Sequence, residues 1–230
     1  MVKKLVAFAL LAVFGLLFAA LLLGYAPDAE LNQTARYYAE RTAADLSAAN
    51  IVTAIVVTYR GLDTLGEVTV LFLAAAIVGL VLADGKHGRA RARPPVGELL
   101  TTGTRFLVPM ILLLGVYVFV NGHLTPGGGF QGGAIVASAV LLVLLADPAR
   151  HFSHRLIAAI ESLAGVFYVA IGVAGLFLAG GFLDNRILPP GNLGELFSAG
   201  AIPVIYSLIG LKVGAEFASM LASLSETDEL

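Results

Sequence analysis

The chain has 230 residues, of which 58% are hydrophobic and only 13% are charged, and its mean hydropathy is +0.90. Soluble domains carry about 25% charged residues, so this composition excludes an ordinary soluble protein and predicts a membrane protein. The formal net charge of −2 gives no sign of a nucleic-acid partner, and the absence of cysteine excludes disulfides and iron–sulfur ligation.

Several apolar runs reach the roughly 20 residues that a helix needs to cross about 30 Å of hydrocarbon. We therefore predict an all-α polytopic membrane protein with about six transmembrane helices. The predicted spans cover residues 5–23, 65–82, 106–120, 131–145, 156–178 and 196–220. The first span is longer than the 7–15-residue core of a signal peptide, which favours a retained helix over a cleaved one.

A shorter apolar run, residues 51–57, precedes the second span. Seven residues rise only about 10 Å as a helix, which is too little to cross the membrane. We predict a short interfacial or half-inserted helix near residues 46–60, unless the helix begins upstream in the polar stretch 24–49.

Residues 84–95 form a basic segment that ends in two prolines, and this composition is typical of a linker. We therefore divide the chain into residues 1–85 with two spans, a linker at 86–96, and residues 97–230 with four spans.

Six spans place both termini on one side of the membrane, and the basic residues indicate which side. Nine lysines and arginines fall on the side that the N-terminus shares with residues 84–105 and 147–155, against four on the other side. Basic residues are enriched in cytoplasmic loops, so we predict cytoplasmic termini and a location in the cell membrane. A crossing by residues 51–57 would reverse this pattern, which argues against a seventh span.

A glycine-rich stretch, Asn121–Gly133, separates the third and fourth spans. Its helix-breaking residues are Pro126, Gly127, Gly128, Gly129, Gly132 and Gly133. Glycine costs about 1 kcal/mol and proline about 3 kcal/mol inside a helix. The stretch is therefore explained by a non-helical backbone conformation rather than by a continuous helix. We interpret it chiefly as a device for tight packing of the two spans and for contacts with neighbouring proteins of an assembly. His123 and Gln131 are possible ion contacts, although a histidine beside a loop is more often solvated.

Arg60, Asp63 and Glu67 stand at the start of the second span. Asp63 suits a helix N-cap, and Glu67 follows one turn later, where a carboxylate that faces lipid is costly. We therefore expect Glu67 to face protein or water. Two interpretations remain open: Glu67 pairs with Arg60, or it takes up and releases a proton along an ion path.

A second charged group joins the last two spans. Lys212 and Glu216 are four residues apart and share a helix face, and Glu161 lies at a similar depth in the fifth span. An isolated lysine at that depth is costly, so an ion pair is expected. The cluster either locks two helices together or takes part in a cation pathway.

The sequence predicts no catalytic residues, no cofactor and no metal site. No nucleophile stands beside a base, and the four histidines fall in connections, whereas a haem inside the bilayer needs ligands within the spans. An enzymatic role for the chain itself is therefore not expected.

Two motifs carry a resemblance to known families. Residues 97–230 resemble the MrpB/MnhB (MbhF-like) component of Mrp-type cation/proton antiporters. The matching segments are residues 122–133, 161–165, 194–203 and 210–214. Residues 1–85 resemble the C-terminal part of the large MrpA component, which is the separate MbhE-like component of membrane-bound hydrogenases, through residues 50–67. Thr58 departs from this pattern, where an acidic residue is expected.

The resemblance implies an accessory component of a multisubunit Na⁺/H⁺ antiporter module, either a stand-alone Mrp antiporter or the Mrp-like arm of a hydrogenase-type respiratory complex. It implies other subunits, Na⁺, H⁺ and the lipid bilayer as partners, and a share in forming the cation pathway. Glu67 would then be the titratable group, with Glu161, Lys212 and Glu216 as an inner charged cluster. The alternative is a purely structural protein that seals the interface between larger transport and redox subunits.

Overall fold

The computed structural model describes residues 2–25, 30–84, 97–147 and 150–226, and every regular element within these ranges is helical. The α-helices are α1 Val2–Gly24, α2 Gln33–Leu46, α3 Ile51–Ala54, α4 Gly61–Asp84, α5 Glu98–Val120, α6 Gly129–Ala146, α7 His154–Leu178 and α8 Ile202–Glu226. Six of them are long and apolar enough to cross a membrane, which confirms the predicted fold class. The predicted linker at 86–96 lies outside the described residues.

The chain divides into two compact units, residues 1–37 and 38–230. The first unit contains α1, which has no buried residue and is apolar on every side. Such a surface suits a helix that lipid or other membrane helices surround.

The short helix predicted near residues 46–60 is present, and the polar stretch before it is also helical. Helix α2 meets the segment Ile51–Tyr59 at a bend of 88°. Asn50 caps α3, because its side chain accepts a hydrogen bond from the Thr53 amide at 3.3 Å. The segment then continues as a π-helical turn, Ile55–Tyr59, and such turns are rare in proteins and frequently occur at functional sites.

The last span begins six residues later than predicted and ends six residues later. Residues 196–201 belong instead to a folded connection that Asn185 holds in place. The buried Asn185 side chain donates to the Ala199 carbonyl at 3.0 Å, and the Ala201 amide donates to the Asn185 carbonyl at 2.9 Å. Ala199 and Gly200 also adopt positive φ angles of 62° and 57°, which no helix can accommodate.

Helix α8 forms the centre of the second unit, since α4, α5, α6 and α7 all pack against it. Its buried apolar residues include Ile205, Ile209 and Val213. These side chains form one core with residues of α3, the π-helical turn and the connection before α8. The segment at residues 51–59 is therefore packed against the centre of this unit rather than lying apart from it.

Candidate functional site

The glycine-rich break connects α5 to α6 through a tight turn. Gly127 and Gly128 adopt φ angles of +158° and +154°, which residues with a side chain rarely adopt. The turn therefore requires glycine at these two positions for its backbone alone.

The remaining glycines of the break bring α6 against two neighbouring helices. A β-carbon on Gly132 would lie 2.7 Å from the Gly115 carbonyl of α5, and one on Gly133 would lie 2.8 Å from the Gly210 carbonyl of α8. A β-carbon on Gly129 would lie 2.5 Å from the Ile209 side chain. Helix α6 is thus held between α5 and α8 at distances that only glycine permits.

A hydrogen-bonded network ties α3 to the break. The Asn50 side chain donates to the carbonyls of Gly122 and Thr125 at 2.9 and 3.0 Å. The buried Thr53 hydroxyl donates to the Gly122 carbonyl at 2.5 Å and accepts from the Tyr206 hydroxyl of α8 at 3.2 Å. These side chains satisfy backbone carbonyls that the broken helix leaves free, which a membrane interior requires.

Replacing Tyr206 by phenylalanine is expected to lower the free energy of unfolding by about 1 kcal/mol, the usual net value of one hydrogen bond. Thermal unfolding of the purified chain in detergent measures this loss, and hydrogen exchange of the α3 amides should become faster. Tyr117→Phe on the exposed face of α5 is the matched control. Equal effects of the two substitutions would contradict a stabilising role for the network.

His123 lies in the break and is fully buried, so the interpretation of a solvated histidine is wrong. Its Nε2 contacts the Glu195 carbonyl at 3.4 Å, and its Nδ1 has no hydrogen-bond partner among the described residues. Burial disfavours the imidazolium form and lowers the pKa of His123. Gln131, the other predicted ion contact, is exposed in the first turn of α6.

The charges at the start of α4 are arranged differently from the prediction. Arg60 pairs with Asp63 at 2.5 Å, and not with Glu67. Asp63 is not an N-cap, because the π-helical turn leads into α4 after one residue and the helix already begins at Gly61. Glu67 is exposed on α4. A carboxylate within a span requires a polar or aqueous environment, so its exposed side needs water or a partner protein.

The three residues of the charged cluster do meet, at a junction of α7 and α8. The Lys212 Nζ lies 2.7 Å from a Glu216 carboxylate oxygen and 3.9 Å from a Glu161 carboxylate oxygen. The Glu216 side chain is 0% exposed, and those of Lys212 and Glu161 are 11% and 15% exposed. One positive charge therefore faces two carboxylates in a largely buried site.

Two further residues shape this site. The Lys212 ammonium lies 4.8 Å from the centre of the Phe72 ring of α4, at cation–π distance. Gly165 of α7 lies beside the Lys212 stem, where a β-carbon would be in ordinary van der Waals contact at 3.6–3.8 Å. Sequence reasoning missed Phe72 because an apolar side chain within a span carries no sign that it lies against an ammonium group. Gly165 follows Glu161 by four residues, a spacing that places both on one face of α7.

The cluster is far from either end of α8. Lys212 lies ten residues after the start of the helix and fourteen before its end. Its distance along the axis to the nearer end is about 15 Å, so it sits near the middle of a hydrocarbon core of about 30 Å when α8 spans the membrane. A charge at that depth requires partners or water.

Two protein-family models match the chain. One, described as a domain related to the MnhB component of the Na⁺/H⁺ antiporter, matches residues 99–219. The other is the MbhE family, the E component of MBH, and it matches residues 3–94. The Asn50–Thr53–Tyr206 contacts therefore join the segments that the two models cover.

Curated relatives include an uncharacterised protein of Methanocaldococcus jannaschii, which is 32% identical over 76% of this chain and 77% of its own length. The B component of the Na⁺/H⁺ antiporter of Bacillus subtilis is 38% identical over 35% of this chain and 51% of its own length. A probable K⁺/H⁺ antiporter A/B component of Rhizobium meliloti is 29% identical over 53% of this chain. This chain spans only 15% of that longer relative.

Two solved structures are similar over nearly the whole chain. A chain of the membrane-bound sulfane sulfur reductase, an archaeal respiratory membrane complex, has a TM-score of 0.86 and 41% identity, with 100% of both chains covered. A chain of the Mrp complex from Dietzia has a TM-score of 0.78 and 28% identity, over 99% of this chain and 26% of that one.

Proposed function

The chain belongs to the family of domains related to the MnhB component of Na⁺/H⁺ antiporters, and we propose that it helps to form the cation pathway of a multisubunit antiporter module. In this role it is an accessory protein without a redox or hydrolytic reaction of its own. Its partners are the larger subunits of a stand-alone antiporter or of a related respiratory complex.

The buried cluster of Lys212, Glu161 and Glu216 carries this proposal. With all three groups ionised, the site has one more negative than positive charge in the middle of a span. The Glu216 Oε1 atom lies 2.7 Å from the Lys212 ammonium, and neither Glu216 oxygen forms a hydrogen bond of good geometry within the described residues. Burying an excess negative charge costs free energy, and a cation or proton that binds at the site would neutralise that charge.

Lys212 faces alternative partners, which suits a group that responds to a passing charge. It contacts Glu216 closely and Glu161 at a longer distance, while the Phe72 ring lies against the ammonium. We propose that Lys212 moves between the two carboxylates as an ion passes. Since α4, α7 and α8 each contribute to the site, the pathway would run along their junction.

Glu67 is the second element of the proposed pathway. It lies on the exposed side of α4, five residues before Phe72, which is about 7.5 Å along the helix axis. An exposed carboxylate inside a span requires a polar surface on another protein or a water-filled cavity. We propose that Glu67 takes up and releases protons where this chain meets a larger partner of the complex.

Glu67→Gln tests this assignment in the assembled complex. The amide keeps the size of the side chain but cannot exchange a proton, so Na⁺-dependent proton exchange in vesicles should fall at least tenfold. Glu98→Gln, in the first turn of α5, is the control for the loss of a carboxylate. Unchanged exchange per assembled complex would refute the role of Glu67.

The purely structural alternative predicts another result for the same variant. A protein that only seals an interface would lose co-purification with its partners, while the exchange rate of each assembled complex would stay at the wild-type level. Measuring the amount of complex and the rate on the same preparation separates the two functions.

A further inference from the structure

A cleft of about 340 Å³ opens between the start of α5 and the end of α6, away from the charged cluster. Small-molecule sites begin at about this volume. Its lining residues are Thr101, Thr104, Arg105, Val108, Pro109, Val143, Ala146, Asp147 and Arg150. The charged and hydroxyl-bearing residues lie toward the start of α5 and the end of α6, and Val108, Pro109 and Val143 lie further into the spans.

The charged residues that line the cleft have a net positive charge. Arg105 and Arg150 contribute two guanidinium groups, and Asp147 contributes one carboxylate. Within the described residues neither arginine forms a salt bridge. Two cations against one anion leave a charge of about +1, which matches the single negative charge of a phosphodiester.

A buried hydroxyl in the wall lacks a partner. Thr104 is 6% exposed, and its Oγ1 forms no hydrogen bond within the described part of the chain. Thr101, one turn earlier, also faces the cleft, and its hydroxyl reaches only the Gly97 carbonyl at 3.4 Å. The hydroxyls and guanidinium groups together form a set of donors for phosphate oxygens.

The position of the cleft matches the edge of the membrane. Helices α5 and α6 are both candidate spans, and Arg105 lies seven residues into α5, about 10 Å from its start. Headgroups occupy roughly 5–8 Å outside each face of the hydrocarbon core, and arginine side chains near helix ends extend toward this layer. Below the arginines, Val108, Pro109 and Val143 form an apolar surface that suits an acyl chain.

We propose that this cleft binds the phosphodiester headgroup of an anionic membrane phospholipid. Arg105 and Arg150 contact the phosphate oxygens, and Asp147 accepts hydrogen bonds from headgroup hydroxyls. A free phosphate ion fits less well, because it gains nothing from the apolar surface of Val108, Pro109 and Val143. This binding is independent of the proposed cation pathway.

Native mass spectrometry of the full-length chain in detergent tests the proposal with phosphatidylglycerol as the probe. We expect retention of phosphatidylglycerol at least tenfold above that of zwitterionic phosphatidylcholine. Arg105→Gln with Arg150→Gln should reduce this retention at least tenfold. Arg155→Gln, an exposed arginine of α7 outside the cleft, is the control and should retain the lipid.

Circular dichroism first establishes that each variant is folded. Arg150 lies in a connection, so the single Arg150→Gln variant remains a valid test if the double variant does not fold, and it should lose at least threefold in retention. Unchanged retention in the folded variants would overturn the proposal. Equal retention of both lipids, or displacement of phosphatidylglycerol by millimolar inorganic phosphate, would also overturn it.

Discussion

Replacing Lys212 by methionine is expected to abolish Na⁺-dependent proton exchange and to reduce co-purification of the chain with its partners. The substitution removes the cation that lies 2.7 Å from a fully buried Glu216 carboxylate. Removing one partner of a buried ion pair costs about 3–5 kcal/mol, because the remaining charge is left without compensation. The amount of assembled complex and the exchange rate in vesicles measure the two effects separately.

A double variant, Lys212→Met with Glu216→Gln, separates transport from stability. It removes both members of the close pair and leaves only the partly exposed Glu161 carboxylate without its cation, so assembly should recover most of the loss caused by Lys212→Met alone. Exchange should remain below one tenth of the wild-type rate if the pair takes part in the pathway. Leu211→Met, on an exposed position of the same helix, is the matched control. A double variant that assembles and exchanges normally would favour the structural alternative.

Gly133→Ala is expected to destabilise the chain by about 1–3 kcal/mol, the usual cost of overpacking. A β-carbon at this position would lie 2.8 Å from the Gly210 carbonyl and 2.9 Å from the Gly214 amide of α8. These contacts are with backbone atoms, so α6 must move away from α8. Thermal unfolding in detergent measures the loss.

Gly79→Ala is the matched control, since Gly79 lies within α4 and a β-carbon there meets nothing within 4 Å. At such a position alanine usually stabilises a helix by about 0.4–1 kcal/mol, because it restricts the unfolded chain. The two substitutions should therefore have opposite signs. A neutral or stabilising effect at Gly133 would contradict the close packing of α6 on α8.

Residues from both family segments pack together in this structure. The MbhE model matches residues 3–94, and the MnhB-related model matches residues 99–219. The second part of the first segment is not a separate domain, because α4 packs against α8 and Thr53 bonds to Tyr206. The two family segments are therefore parts of one chain and contribute to one core.

Local sequence patterns were sufficient for the number and order of the membrane helices, although not for the start of the last one, and for the charged pair on α8. Apolar runs of about 20 residues indicate membrane helices because the bilayer requires that length of any helix that crosses it. The spacing of Lys212 and Glu216 places them on one helix face in any α-helix. Glycine and proline likewise mark the break after α5, since both disfavour a helix interior.

Only the tertiary structure decided which groups these helices present to one another. Thr53 and Tyr206 are 153 residues apart, and no local pattern pairs them. The burial of His123, the exposure of Glu67 and the position of Phe72 over Lys212 likewise depend on how separate helices pack. Helix formation depends on neighbours along the chain, whereas burial and ion pairing depend on neighbours in space, so the sequence alone determined the elements and the packing determined the site.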